Sequence, residues 1–136
     1  MTYPASLLPG HFCWLDLAAA NAGAASDFYY RLFGWSTQVN KACGGHFASF
    51  HLGEERVASL YQLGARHLKQ GVPSHWTPYV AVNNVDETAR LARSLGASVP
   101  VAPFDFPNQA RIALLQDPDG AVLGLWQSPS TDNQAG

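Results

Sequence analysis

The chain has 136 residues, of which 47% are apolar and 13% are charged, and its formal net charge is −2. This length suits one domain with a single core, and the composition excludes a disordered chain. The charge argues against nucleic acid as a partner, since no basic stripe is present to neutralise phosphates.

No apolar run approaches the ~20 residues that a membrane-spanning helix needs. The first residues lack the basic start and long apolar stretch of a signal peptide. Two cysteines without a CxxC motif do not suggest a disulfide scaffold. We therefore expect a reduced cytoplasmic protein with no membrane partner.

The N-terminal part predicts an arm, a strand and a helix. Residues 1–9 contain two prolines and no hydrophobic period, which is typical of an arm. Residues 11–18 follow as a strand. Asn21 suits a helix N-cap and Gly34 a left-handed C-terminal residue. Between them, five residues at helical spacing form one apolar stripe and predict a helix: Ala25, Phe28, Tyr29, Leu32 and Phe33.

The rest of the chain predicts further strands and one more helix. Strands are expected at 36–39, 46–52 and 56–63, followed by a surface connection at 64–74. The pattern then restarts, with a strand at 76–83, a helix at 85–95, strands at 98–101, 110–115 and 121–127, and a frayed tail at 129–136.

The two parts resemble each other along the sequence. Asn21 and Asn83 open the two helices and Gly34 and Gly96 close them, both 62 residues apart (83 − 21 and 96 − 34). Each part reads strand, helix and three strands, so we predict an internal duplication within one domain. Its first module spans about 10–63 and its second about 75–128.

A turn and an unusual glycine mark the last strand. Asp117, Pro118 and Gly120 occupy positions typical of a type I turn. Gly124 lies within the following strand, where a glycine packs nothing and often marks the close approach of a ligand or another backbone.

These motifs resemble the vicinal oxygen chelate superfamily, which includes glyoxalase I, extradiol dioxygenases and bleomycin-resistance proteins, and in particular its glyoxalase-like branch. The resemblance covers about residues 10–128 and is carried by residues 14–17, 27–29, 32–35, 79–86 and 117–120. It implies an α+β fold of two βαβββ modules, each with its sheet curled into a half-barrel around a cleft. It also implies a homodimer.

Enzymes of this superfamily hold a divalent metal through His, Gln or Glu on four strands, and the metal binds two neighbouring substrate oxygens. The resemblance places these ligand positions at Trp14, Ser59, Thr77 and Gly124. None of these residues is a competent ligand for Zn, Ni or Fe. We therefore predict no metal and no other cofactor.

Asp16 shares the predicted face of Trp14 and is the candidate catalytic carboxylate, either as a base or as a partner for a cation. A purely structural carboxylate is the alternative. Aromatic residues at Trp14, Tyr61, Tyr79 and Trp126 suit a planar or apolar ligand. Tyr61 and Trp126 have a second possible orientation, towards the helix layer. The predicted ligand-binding set is Trp14, Asp16, Ser59, Tyr61, Thr77, Tyr79, Gly124 and Trp126.

The histidines give no chelating set. His11 and His75 are expected to be exposed at strand starts, and His67 to be solvated in the connection. His46 and His51 are five apart in one strand, so they point to opposite faces.

The leading hypothesis is a metal-independent glyoxalase-like protein that binds a small organic molecule. One alternative is a divalent-metal-dependent lyase or dioxygenase that recruits Asp16, His46 or His51 as ligands. A second alternative is a resistance protein that sequesters a cationic drug. Asn108 and Gln109 lie in the longer loop, and a lid over the site and ordinary loop polarity explain them equally well.

Overall fold

The computed structural model describes residues 8–40, 47–106 and 110–129. The elements in chain order are β1 (Phe12–Ala19), α1 (Ala22–Phe33), β2 (Ser36–Asn40), β3 (Phe47–Leu52), β4 (Glu55–Gln62), α2 (Ala65–Lys69), β5 (His75–Ala81), α3 (Val85–Ser94), β6 (Ser98–Phe106), β7 (Ala110–Gln116) and β8 (Val122–Gln127). The expected α+β class and the two sets of strand, helix and three strands are confirmed. That the two sets arose by duplication stays a prediction.

The described residues form two compact units. The first unit consists of residues 15–77. The second unit consists of residues 78–129 together with residues 8–14. The predicted division into an arm, one domain and a tail stays a prediction.

In the first unit the strand order is β2-β3-β4-β1, and β1 pairs with β4 in parallel while the other pairs are antiparallel. Helix α1 connects β1 to β2. It starts where the Asn21 side chain accepts a hydrogen bond from the Ala24 amide at 2.9 Å, and it ends at Gly34, which has a φ of 79°. Both predicted caps are confirmed. The core of this unit is Leu17, Ala19, Phe50, Ala58 and Leu60.

The second unit repeats this arrangement with the strand order β5-β8-β7-β6, in which β5 and β8 are parallel. Residues before β1 belong to it, because the Gly10 amide donates to the Ala81 carbonyl and the Ala81 amide donates to the His11 carbonyl, both at 2.8 Å. The core of this unit is Val85, Ala113, Leu115 and Leu125.

Equivalent glutamines attach each helix to the last strand of its unit. Oε1 of Gln62 in β4 accepts from the Ala22 amide, and Oε1 of Gln127 in β8 accepts from the Val85 amide, both at 2.8 Å. Each glutamine thereby pairs one of the amides that the first turn of a helix leaves without a partner. The start of each helix is thus fixed relative to its sheet.

The apolar stripe of α1 is only partly buried. Ala25 and Tyr29 pack against the core of the first unit. Phe28, Leu32 and Phe33 are each more than half exposed, so only part of the predicted stripe faces the core. The sheet contacts the centre of the stripe, and the flanking residues lie beyond that contact.

Several element bounds also differ from the prediction. Asn84, and not Asn83, caps α3 by accepting from the Glu87 amide at 3.0 Å, because strand hydrogen bonding continues to Val82. Strand β6 extends to Phe106 despite two prolines, which an edge strand tolerates. The connection at 64–74 contains the short helix α2.

The predicted turn at Asp117 is confirmed, with the Gly120 amide donating to the Asp117 carbonyl at 2.9 Å. Within the described ranges, no helix has the length and apolarity that crossing a membrane requires. Several predicted features lie outside the described residues: His46, Asn108, Gln109 and most of the arm and tail.

Candidate functional site

Asp16 is a buried carboxylate of the first unit. It lies in β1 opposite Ser59 of β4, and 8% of its surface is exposed. The Ser59 hydroxyl donates a hydrogen bond to Oδ1 of Asp16 at 2.5 Å. Ser59 therefore fixes the orientation of the carboxylate.

Burial is the main influence on the Asp16 pKa and raises it above that of an ordinary aspartate, because the charged form loses its water. The hydrogen bond from Ser59 and the charge of His75 act in the opposite direction. Burial and the negative charge of Asp16 together raise the pKa of Tyr61. Tyr61 thus lies near Asp16 and contacts the ring of Phe47, with the centroids 5.5 Å apart. The second possible orientation predicted for Tyr61, towards the helix layer, is therefore wrong.

His75 is the residue of this group that the sequence analysis missed. It was expected to be exposed, but it is half-buried in β5, and its charge acts on Asp16. Its Nδ1 lies 2.8 Å from the Pro73 carbonyl oxygen. Alternation along the strand offered a signal, because His75 is two residues before Thr77 and therefore shares its face.

Tyr79 and Gly124 are paired in the second unit in the way that Asp16 and Ser59 are paired in the first. They are opposite each other in the parallel strands β5 and β8. A Cβ atom on residue 124 would lie 2.6 Å from Cγ of Tyr79 and closer still to Cδ2 and Cε2. The Tyr79 ring thus occupies the space that a side chain at position 124 would need. The sequence predicted the close approach of a ligand or another backbone, whereas the group that approaches Gly124 in the structure is the Tyr79 side chain.

Trp126 joins Tyr79 and Trp14 in an aromatic group of the second unit. The Trp126 ring centroid is 6.0 Å from that of Trp14 and 6.0 Å from that of Tyr79, which it meets edge to face. These separations are typical of favourable aromatic pairs. The neighbouring Leu125, by contrast, packs in the core against α3. Trp126 therefore faces away from the helix layer.

The predicted site residues thus fall into two groups. Asp16, Ser59 and Tyr61 come together in the first unit, where Thr77 is also buried. Trp14, Tyr79, Gly124 and Trp126 come together in the second unit.

The four positions where the resemblance implies metal ligands do not fit a metal ion. Trp14 and Gly124 offer no donor atom, the Ser59 hydroxyl is bonded to Asp16, and Thr77 has only a neutral hydroxyl. In the part of the chain that the structure describes, no three His, Cys, Asp or Glu side chains are grouped as a metal site.

Comparison with known proteins places this geometry in context. The sequence model of the Glyoxalase/Bleomycin resistance protein/Dioxygenase superfamily matches residues 10–125. The anthracycline biosynthesis protein DauV of Streptomyces sp. (strain C5) is 31% identical over 130 residues, which are 88% of this chain and 47% of DauV. CFP32 of Mycobacterium bovis, for which a glyoxylase role is proposed, is 34% identical over 119 residues, covering 85% of this chain and 44% of CFP32. The chain thus spans less than half the length of either relative.

Among solved structures, methylmalonyl-CoA epimerase from Mycobacterium tuberculosis matches with a TM-score of 0.61 and 16% sequence identity. The match covers 98% of this chain and 97% of the epimerase. At this identity the likeness shows a shared fold alone.

Proposed function

Because the chain belongs to the Glyoxalase/Bleomycin resistance protein/Dioxygenase superfamily, we propose that it binds a small organic molecule with a planar aromatic part, and that it does so without a divalent metal. The homodimer and the cytoplasmic location implied at the outset are part of the same proposal.

The observation that carries metal independence is the contact between Tyr79 and Gly124. The resemblance implies a metal-ligand position at residue 124, and the Tyr79 ring fills the space where the Cβ of such a ligand would lie. Tyr79 is 6% exposed, so the ring has little room to move aside. A ligand that binds here meets aromatic carbon where the metal enzymes present a carboxylate or an imidazole.

The aromatic side chains support a planar ligand. Trp14, Tyr79 and Trp126 present neighbouring rings in the second unit, and Phe47 and Tyr61 do so in the first. Flat rings in an apolar wall favour stacked or edge-to-face contacts with a flat ligand. DauV is named for anthracycline biosynthesis, and anthracyclines carry fused planar rings. This relative therefore points to the same ligand class.

The test is a fluorescence titration with daunorubicin, an anthracycline, in excess EDTA and again with added Mn²⁺ or Zn²⁺. We expect binding that is unchanged by the metal. Trp126→Leu should weaken it about tenfold, equivalent to about 1.4 kcal/mol of lost ring contact. Trp76→Leu is the matched control, because Trp76 lies in a different ring cluster with Tyr29 and Trp35. Binding that requires the metal, or that Trp126→Leu leaves intact, contradicts the proposal.

The sugar-free aglycone of daunorubicin separates planar recognition from the sequestration of a cationic drug, because it lacks the amine. Planar recognition predicts similar affinities for the two compounds. Loss of binding with the aglycone would instead favour the drug-sequestering alternative, with Asp16 as the partner of the amine.

A further inference from the structure

We propose that the exposed apolar face of α1 docks a second copy of this chain in a two-fold contact. The α1 face consists of Phe28, Leu32 and Phe33, which are 55%, 55% and 53% exposed. This inference assigns a surface to the homodimer proposed above and rests on that part of the proposed function.

The two rings of the α1 face are held in place on their core side by Tyr29. The Tyr29 ring meets that of Phe28 edge to face, with the centroids 5.0 Å apart, and stacks on that of Phe33 at 6.2 Å. Tyr29 in turn contacts the fully buried Phe50, with the centroids 5.7 Å apart. Rings that are already fixed lose little side-chain freedom when a partner covers them. The α1 face is therefore a preorganised surface connected to the core of the first unit.

The charges of α1 suit a partner that carries the same surface. Asp27 and Arg31 are the only charged residues of this helix, and Nε of Arg31 lies 3.2 Å from Oδ2 of Asp27. The pair leaves no net charge, so two copies of the helix do not repel each other. In a two-fold contact with antiparallel helices, the acid of each copy faces the base of the other. The face is thus complementary to itself in charge.

The equivalent helix of the second unit offers no such face. Helix α3 also exposes leucines, at Leu91 and Leu95, but it lacks aromatic residues. Four of its ten residues are charged: Asp86, Glu87, Arg90 and Arg93. Interspersed charges of this kind are typical of a helix surface that faces water. The difference between the two helices selects α1 for docking.

The α1 face is large enough to form the centre of a small dimer interface. A half-exposed phenylalanine presents about 100 Å² of its surface, so the three side chains together present roughly 300 Å². A two-fold contact buries the same face on both copies, which doubles the apolar area to about 600 Å². Specific interfaces of about 1,200 Å² are a little more than half apolar. The apolar area of the face therefore matches what an interface of that size needs.

The lengths of the relatives agree with a partner of this size. The match takes 47% of DauV and 44% of CFP32, so each relative has about one further chain length outside the match. That length is sufficient for a second domain of the same size. For the chain described here, a second copy provides a partner of that size.

The α1 face lies on the helix side of the sheet of the first unit. Ala25 and Tyr29 of α1 pack against the core that contains Leu17. Because neighbouring side chains in a strand point to opposite faces, Asp16 points to the other side of the sheet. A copy that covers α1 thus leaves the Asp16 side of this sheet uncovered.

The experiment is sedimentation velocity of the 136-residue chain over a dilution series. We expect a dimer for the wild type. Leu32→Lys should raise its dissociation constant about 100-fold, because two-fold symmetry places the added charge in the interface twice. Leu91→Lys in α3 is the matched control, since Leu91 is 58% exposed, and it should leave the dissociation constant unchanged. A dimer that Leu32→Lys leaves intact overturns the proposal, and so does an equal loss in Leu91→Lys.

A second measurement uses the wild type alone and so avoids variants that fail to fold. A soluble paramagnetic agent broadens the NMR signals of methyl groups that solvent reaches. Leu32 and Leu91 are almost equally exposed in a single chain, so a monomer predicts equal broadening of their methyl groups. A second copy on the α1 face predicts protection of Leu32 and broadening of Leu91. Equal broadening of the two leucines overturns the proposal.

These outcomes separate this inference from the rest of the proposed function. A monomeric wild type would contradict this surface and the proposed homodimer, but not the proposed ligand, which the daunorubicin titration tests alone. A wild-type dimer that Leu32→Lys does not dissociate would contradict only the surface assigned here. A dimer that Leu32→Lys dissociates, in a protein that does not bind daunorubicin, would contradict only the proposed ligand.

Discussion

The two units share one backbone arrangement but carry different side chains at one equivalent pair of positions. In the first unit, Asp16 of β1 lies opposite Ser59 of β4, and in the second, Tyr79 of β5 lies opposite Gly124 of β8. Both pairs are in parallel strands. One pair is polar, with a hydroxyl bonded to a carboxylate, and the other is an aromatic ring over a bare backbone.

The residue on the last strand is small in both pairs, and its size determines what its neighbour can be. Ser59 is small enough to lie beside a buried carboxylate and also satisfies it with a hydrogen bond. Gly124 has no side chain, so a whole ring fits above it. The backbone pairing is the same in both units, and the small residue on the last strand leaves room for a carboxylate in the first unit and for a ring in the second.

The largest expected effect on stability comes from filling the space above Gly124. Gly124→Ala should destabilise the protein by about 3 kcal/mol, because the added methyl group overlaps Cγ of the buried Tyr79 ring. The measurement is urea unfolding followed by circular dichroism.

The matched control is Gly23→Ala in α1, where a Cβ meets only Oδ1 of Asn21, at an ordinary 3.6 Å. That change should be neutral or slightly stabilising, since alanine favours helix. Equal stability of the two variants would contradict the tight contact that we describe.

Substitution of Gln62 and Gln127 tests the attachment of helix to sheet that the two units share. Gln62→Ala should cost about 2 kcal/mol and Gln127→Ala about 1 kcal/mol, since each leaves a helix amide without its acceptor. The loss of stability is larger for Gln62→Ala because Nε2 of Gln62 also donates to the carbonyl groups of Ala20 and Leu63. Thermal unfolding of the two variants gives both values. A larger loss for Gln127→Ala would show that the two attachments are not equivalent.

Asp16→Asn should stabilise the protein at pH 7 by about 1 kcal/mol, because an amide loses less than a carboxylate when water is removed. The pKa of Asp16 is raised in the folded state, so folding favours the protonated acid. The wild type therefore loses stability relative to the variant as the pH rises from the unfolded to the folded pKa. Below both pKa values the difference disappears. Unfolding free energies from pH 3 to 8 test this, and a difference that is greatest in acid contradicts it.

Ser59→Ala should raise the Asp16 pKa further, because the hydrogen bond that stabilises the carboxylate is removed. His75→Gln should shift it in the same direction by removing a positive charge. Carbon NMR of the Asp16 carboxyl group follows both shifts. An unchanged pKa in Ser59→Ala would show that the hydroxyl does not donate to Asp16 in solution.

Much of the fold followed from local signals. The caps of α1 are side-chain and glycine features that act within a few residues, so Asn21 and Gly34 were found from the sequence. Asn83 and Asn84 are adjacent and equally suited to cap α3, and tertiary hydrogen bonds of the strand decide between them. The half-exposed Phe28 was not predictable, because an apolar stripe does not reveal how wide its contact with the sheet is.

The candidate site was predicted in part. The position of Gly124 within a strand indicated the close approach of a ligand or another backbone, whereas the approaching group is the ring of Tyr79. His75 was missed because the strand was expected to begin one residue later, at Trp76. Its interaction with Asp16 depends on contacts between residues far apart in the chain.

The division of strand β1 between the two units limits how the chain can be cut into fragments that each contain one whole unit. Residues 12–14 belong to the second unit and residues 15–19 to the first, and β5 is divided in the same way after residue 77. No single break in the chain therefore releases either unit. A split protein opened in the 64–74 connection would carry a strand end of the other unit on each fragment, so its fragments would need to be co-expressed to complement each other.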